Sequence, residues 1–101
     1  MNKNSSINRI NINEKRLDDI SICVTNLQKS LKKFKFYKKE LTLLNRYYGS
    51  PNWFKDKDSY ENNLLPKVKA GVLSEDAIWN LNEEISELLN EMKSIINDYK
   101  K

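Results

Sequence analysis

At 101 residues the chain is one domain, large enough to bury a core without a metal or a disulfide but with little surplus. Charged residues make up 32% and hydrophobic ones 39%, with two glycines and two prolines, a profile that argues against loop-rich and sheet-rich folds. A net charge of +4, no histidine and a single cysteine remove the commonest general base and any intramolecular disulfide, and they point to a reducing, cytoplasmic setting.

No apolar run approaches the roughly 18 residues of a membrane span, and the polar N-terminus leads into no signal-peptide core, so neither is expected. Asn, Lys and Ile together supply 38 of the 101 residues. All three have AT-rich codons, which points to a low-GC bacterium or its phage and makes part of the lysine content a matter of codon supply. Charge is unevenly placed: residues 1–40 carry a net +6, 41–73 a net +2 and 74–101 a net −4. A basic front half facing an acidic tail is the arrangement an antiparallel pairing uses for register.

Residues 1–5 read as disordered, and a long first helix is predicted over 6–48. From Leu17 its apolar residues (Leu17, Ile20, Val24, Leu27, Leu31, Phe34, Tyr37, Leu41, Leu44, Tyr48) step by three and four, a coiled-coil-like seam with one slip near Phe34–Tyr37. Such a helix spans about 64 Å, long for so small a chain, and its pattern leaves open whether it is continuous or bent. Phe36, Leu43 and Tyr47 form a second apolar stripe nearly opposite the seam, predicted to be covered by Trp53, Phe54, Leu64, Leu65 and Val68.

The corner is Tyr47-Tyr48-Gly49-Ser50-Pro51-Asn52-Trp53. Gly49 suits the left-handed residue that closes a helix, Ser50 suits an N-cap, and Pro51 at the first helical position loses an amide that had no partner. The crossover, residues 49–74, is predicted to hold a turn or two of helix, a polar loop at 55–58, and a short helix near 66–70 stopped by Gly71. A second long helix is predicted over 75–99, capped by Ser74 with Glu75 and Asp76 in its first turn. Ile78, Leu81, Ile85, Leu88, Met92, Ile95 and Tyr99 line its seam, with Glu83, Glu87 and Glu91 opposite. It matches the first helix from Val24 to Tyr48 in length. The fold expected is therefore all-α: a long antiparallel helical hairpin, coiled-coil-like, with a short helical crossover packed on one side. Ile10, Leu17 and Ile20 are left as an apolar edge without a partner in the chain, which suggests a homodimer.

Tyr47-Tyr48-Gly49-Ser50-Pro51-Asn52-Trp53, then Leu65-Pro66, then Gly71-Val72-Leu73-Ser74-Glu75-Asp76-Ala77 before a Leu- and Glu-rich helix, resembles a small bacterial family catalogued as a domain of unknown function. Arg9-Ile10 and Leu17-Asp18 are similar to its first helix. Asn13 stands where an apolar residue is expected, and the Asn-rich N-terminus is peculiar to this chain. The resemblance implies an all-helical cytosolic protein and carries over no catalytic residue.

No constellation of catalytic, cofactor-binding or metal-ligating residues declares itself. Cys23 reads as a small buried hydrophobe beside the seam rather than a reactive thiol. Residues 56–61 fail as a calcium loop, because Glu61 stands where the loop needs glycine. Lys29, Lys32, Lys33, Lys35, Lys38 and Lys39 put six charges in eleven residues around Phe34, Phe36 and Tyr37. The simpler reading is a solvated or acid-facing surface; the alternative is phosphate binding without arginine for bidentate base contacts. The interaction candidates are Lys29, Lys32, Lys33, Phe36 and Lys39 on the stripe, Ile10 and Leu17 on the free edge, and Trp79 beside the second seam. Trp53 and Trp79 read first as core-edge residues near the corner. The function expected is a non-enzymatic protein–protein interaction module, adaptor or inhibitor, with no cofactor and no membrane. Its partner is another protein or a second copy, with nucleic acid the alternative.

Overall fold

A computed structural model describes residues 3–100. The all-α class holds: α1 (Lys3–Tyr47), α2 (Pro51–Glu61), a 3-10 turn (Gly71–Leu73) and α3 (Glu75–Tyr99) follow one another, with no strand among the described residues. Of the segment expected to be disordered, residues 3–5 are helical; residues 1 and 2, like Lys101, lie outside the described residues. No described helix is long and apolar enough to cross a membrane.

The chain divides into two units, Met1–Leu41 and Thr42–Lys101, with the boundary inside α1. Within the first unit the described residues, from Lys3 on, form one continuous helix with no break. Its polar side chains bond along the helix: Lys15 pairs with Asp19 at 2.7 Å, and Arg16 donates to Asn13 at 3.1 Å. Asn13, out of place for a seam, donates to the Arg9 carbonyl at 2.8 Å, which satisfies it without burial.

The second unit holds the core. Gly49 ends α1 at φ 74°, and the Ser50 hydroxyl accepts from the Trp53 amide at 3.2 Å with Pro51 opening α2. α2 is longer than the turn or two expected, and the supposed polar loop at 55–58 lies inside it. The reason is tertiary: Asp56 accepts a 2.7 Å bond from the Tyr47 hydroxyl, and the Lys57 ammonium sits 5.1 Å from the Trp53 ring centre. Asn63, at φ 57°, stops α2 in a Schellman arrangement, with the Leu64 amide reaching the Ser59 carbonyl at 2.9 Å and the Asn63 amide that of Tyr60 at 3.1 Å. No helix forms over 66–70. Gly71, expected to stop a helix, instead opens the 3-10 turn that delivers the chain to the Ser74 cap.

Among the described residues the buried apolar ones are Trp53, Leu73 and Ile78, at 3%, 8% and 2% exposure. Tyr48 meets Trp53 edge to face at 5.3 Å, and Phe54 does so at 5.0 Å. The Trp53 indole donates to the Val72 carbonyl at 2.8 Å, and the Tyr48 hydroxyl donates to the Glu75 carbonyl at 2.7 Å. Burial is concentrated at this elbow. Near the corner the predicted seams are covered in part, with Ile78 buried and Leu41, Leu44, Tyr48 and Ile85 half-buried, whereas Val24, Leu27 and Leu31 on α1 and Leu88, Met92 and Ile95 on α3 are exposed. The second stripe fares no better, since Phe36, Leu43, Phe54, Leu64, Leu65 and Val68 are exposed. Trp53, the largest of the expected covers, is spent on Tyr48 and Val72 instead.

Candidate functional site

The residues singled out in the sequence fall on two helices. Lys29, Lys32, Lys33, Phe36 and Lys39 are exposed on α1, where helical spacing makes Lys29, Lys32, Lys33, Phe36 and Tyr37 the lining of one shallow open hollow. The Phe36 ring stands edge-on to Tyr37 at 5.1 Å and is otherwise 74% exposed. Lys39 lies beyond this hollow. Ile10 and Leu17, seven residues apart, lie near the start of the same helix and are each 60% exposed. Trp79 stands on α3 beside the buried Ile78 and is 61% exposed, so it takes no part in the core that its neighbour joins. Cys23 is exposed, not buried, because its stretch of α1 carries no covering layer.

The elbow is the best-organised polar region, and sequence reasoning missed it. The Lys57 ammonium donates to the Glu75 carboxylate at 2.9 Å across 18 residues. That bond raises the Lys57 pKa and lowers that of Glu75. Hydrogen bonding to Asp56, then burial, then the charge of Asp56 raise the Tyr47 pKa. Helical spacing from Pro51 could have put Trp53, Asp56 and Lys57 on one face; their partners at 47, 72 and 75 have no signal in a local window. Each of these groups is occupied by its neighbour, so the arrangement does structural work: it ties α2 to both long helices.

Beside Ile78 lies an open apolar cleft of about 360 Å³, lined by Leu44, Lys69, Gly71, Val72, Ala77, Ile78 and Leu81, in which Lys69 is the one ionisable group. No set of three or more metal-ligating side chains gathers among the described residues. Along α1, exposed lysines and exposed apolar residues lie on the same helix.

No curated protein and no solved structure matches this chain. Residues 10–100 match the domain of unknown function DUF4298, and over that span, nearly its whole length, the chain belongs to this family.

Proposed function

We propose that the protein, of bacterial or phage origin and working in the bacterial cytoplasm, is a non-enzymatic protein–protein interaction module, an adaptor or inhibitor, that acts through the apolar seam of its long helices. One observation carries this reading. No residue of α1 is buried, although Ile10, Leu17, Ile20, Val24, Leu27 and Leu31 recur at spacings that line one side of a helix. Burying side chains of this kind is worth roughly 1.5–3 kcal/mol each. Exposed apolar residues recurring at helical spacing suit an interaction surface.

The test is proximity crosslinking in the native host with wild type and with Leu27→Asp/Leu31→Asp. The expected result is crosslinked protein that disappears in the variant while helical circular dichroism is retained. Equal crosslinking by both proteins refutes the seam as the working surface.

A second reading rests on Phe36, exposed among Lys29, Lys32 and Lys33. Lysines neutralise phosphates and an exposed ring offers a stacking platform, so this face suits single-stranded nucleic acid without strong sequence preference. Binding at low salt that falls steeply with added salt and vanishes in Lys32→Glu/Lys33→Glu supports it. No binding at low salt ends it.

A further inference from the structure

We propose that the occupant of the α1 seam is a second copy of this chain, with α3 of each copy laid along α1 of the other. The inference rests on the reading of the chain as an interaction module and names the partner.

The first argument is area. The chain exposes 9360 Å², whereas a folded monomer of 12.0 kDa exposes about 6,000 Å². The excess is about 3,400 Å² per copy, and an obligate homodimer buries roughly 2,000–5,000 Å² in total over both copies. A dimer interface of the permanent class therefore fits within surface that folding has left uncovered.

The second argument is charge. α1 carries 11 basic and 4 acidic residues, a net +7, whereas α3 carries 1 basic and 7 acidic, a net −6. Pairing α1 with α1, or α3 with α3, sets like fields against each other. Pairing α1 with α3 sets opposite ones together, which selects this arrangement over the other two.

The third argument is pattern. Leu88, Met92 and Ile95 continue a three–four rhythm on α3 and are exposed, as Leu27 and Leu31 are on α1. Each helix offers an exposed apolar stripe together with the charge opposite to the other's. Exchanged between two copies, the same contact forms twice and closes with two-fold symmetry, so assembly stops at two.

Sedimentation equilibrium on the purified full chain tests this, with two variants at exposed flanking positions: Arg16→Glu/Lys35→Glu on α1 and Glu84→Lys/Glu91→Lys on α3. Wild type is expected at twice the 12.0 kDa chain mass. Each variant alone should self-associate about tenfold more weakly at low salt, and an equimolar mixture should recover the dimer, because reversed helices then meet reversed helices. A wild-type monomer at high micromolar concentration overturns the proposal. So does an α1 variant that self-associates as tightly as wild type or more tightly, since that result assigns the contact to α1 on α1. If the purified protein is a monomer while seam-dependent crosslinking persists in the host, the second copy is refuted and the interaction module stands; if crosslinking is seam-independent, that reading fails on its own.

Discussion

The indole N–H of Trp53 donates a 2.8 Å hydrogen bond to the carbonyl oxygen of Val72, 19 residues further along the chain. The bond lets a large aromatic ring sink to 3% exposure without orphaning its donor, and it ties α2 to the 3-10 turn.

Trp53→Phe keeps a ring against Tyr48 but removes the donor, and should destabilise the elbow by about 1–2 kcal/mol. Trp53→Ala empties the core and should cost about 3–5 kcal/mol. Urea denaturation followed by far-UV circular dichroism gives the ranking; equal midpoints for the two variants would show that the hydrogen bond, and not the ring, sets the stability.

The two glycines should respond differently to alanine. Gly49 sits at φ 74°, so Gly49→Ala is strained even though no atom lies within 4 Å of an added Cβ, and the expected loss is about 1 kcal/mol. Gly71 has neither a left-handed φ nor a close neighbour, so Gly71→Ala should be neutral or stabilising by about 0.4–1 kcal/mol through the unfolded chain. Thermal melts of the two variants should fall on opposite sides of wild type, or at least clearly apart.

Stability should be flat near neutrality and decline at both pH extremes. The Glu75 pKa is lowered chiefly by its hydrogen bond from Lys57, so its contribution is present above the ordinary carboxylate range and lost as pH falls through the lowered value. Tyr47, raised chiefly by its bond to Asp56, and Lys57, raised by Glu75, contribute below about pH 10 and lose that contribution as pH rises through the raised values. Both effects are small because water screens these groups. Glu75→Gln should flatten the acid limb and Tyr47→Phe the alkaline limb of a plot of denaturation midpoint against pH.

Asn45 and Asn82 exchange two side-chain bonds of 2.9 and 3.4 Å across 37 residues. Asn82 also donates to the Ile78 carbonyl at 2.9 Å, so Asn45→Ala leaves it satisfied. A double-mutant cycle with Asn45→Ala and Asn82→Ala should return a coupling energy below about 1 kcal/mol. A larger value would overturn the expectation that this exposed pair contributes little.

Signals between neighbours were legible. Gly49, Ser50 and Pro51 mark the corner, and Ser74 with Glu75 and Asp76 marks the start of α3, because capping is chemistry among residues three or four apart. The extent of α2 was not legible. Lys55-Asp56-Lys57-Asp58 has no apolar rhythm and reads as loop; it becomes helix where Tyr47 holds Asp56 and the Trp53 ring receives Lys57. The stop at Asn63, at φ 57°, is weakly signalled in sequence because a left-handed residue there is usually glycine. The candidate surface is legible as lysines and apolar residues, but exposure is not: the pattern places Cys23 beside a seam and Phe36 on a covered stripe, and both are exposed.

By itself, then, the sequence determined that the chain is helical, where its corner lies, and that its front is basic and its tail acidic, since period, caps and charge are carried by adjacent residues. The tertiary structure decided that Trp53, Leu73 and Ile78 are buried and that Val24, Leu27, Leu31, Leu88, Met92 and Ile95 stay exposed. Burial is a property of contacts between distant parts of a chain. An apolar stripe states what needs covering, and only the folded arrangement states what covers it.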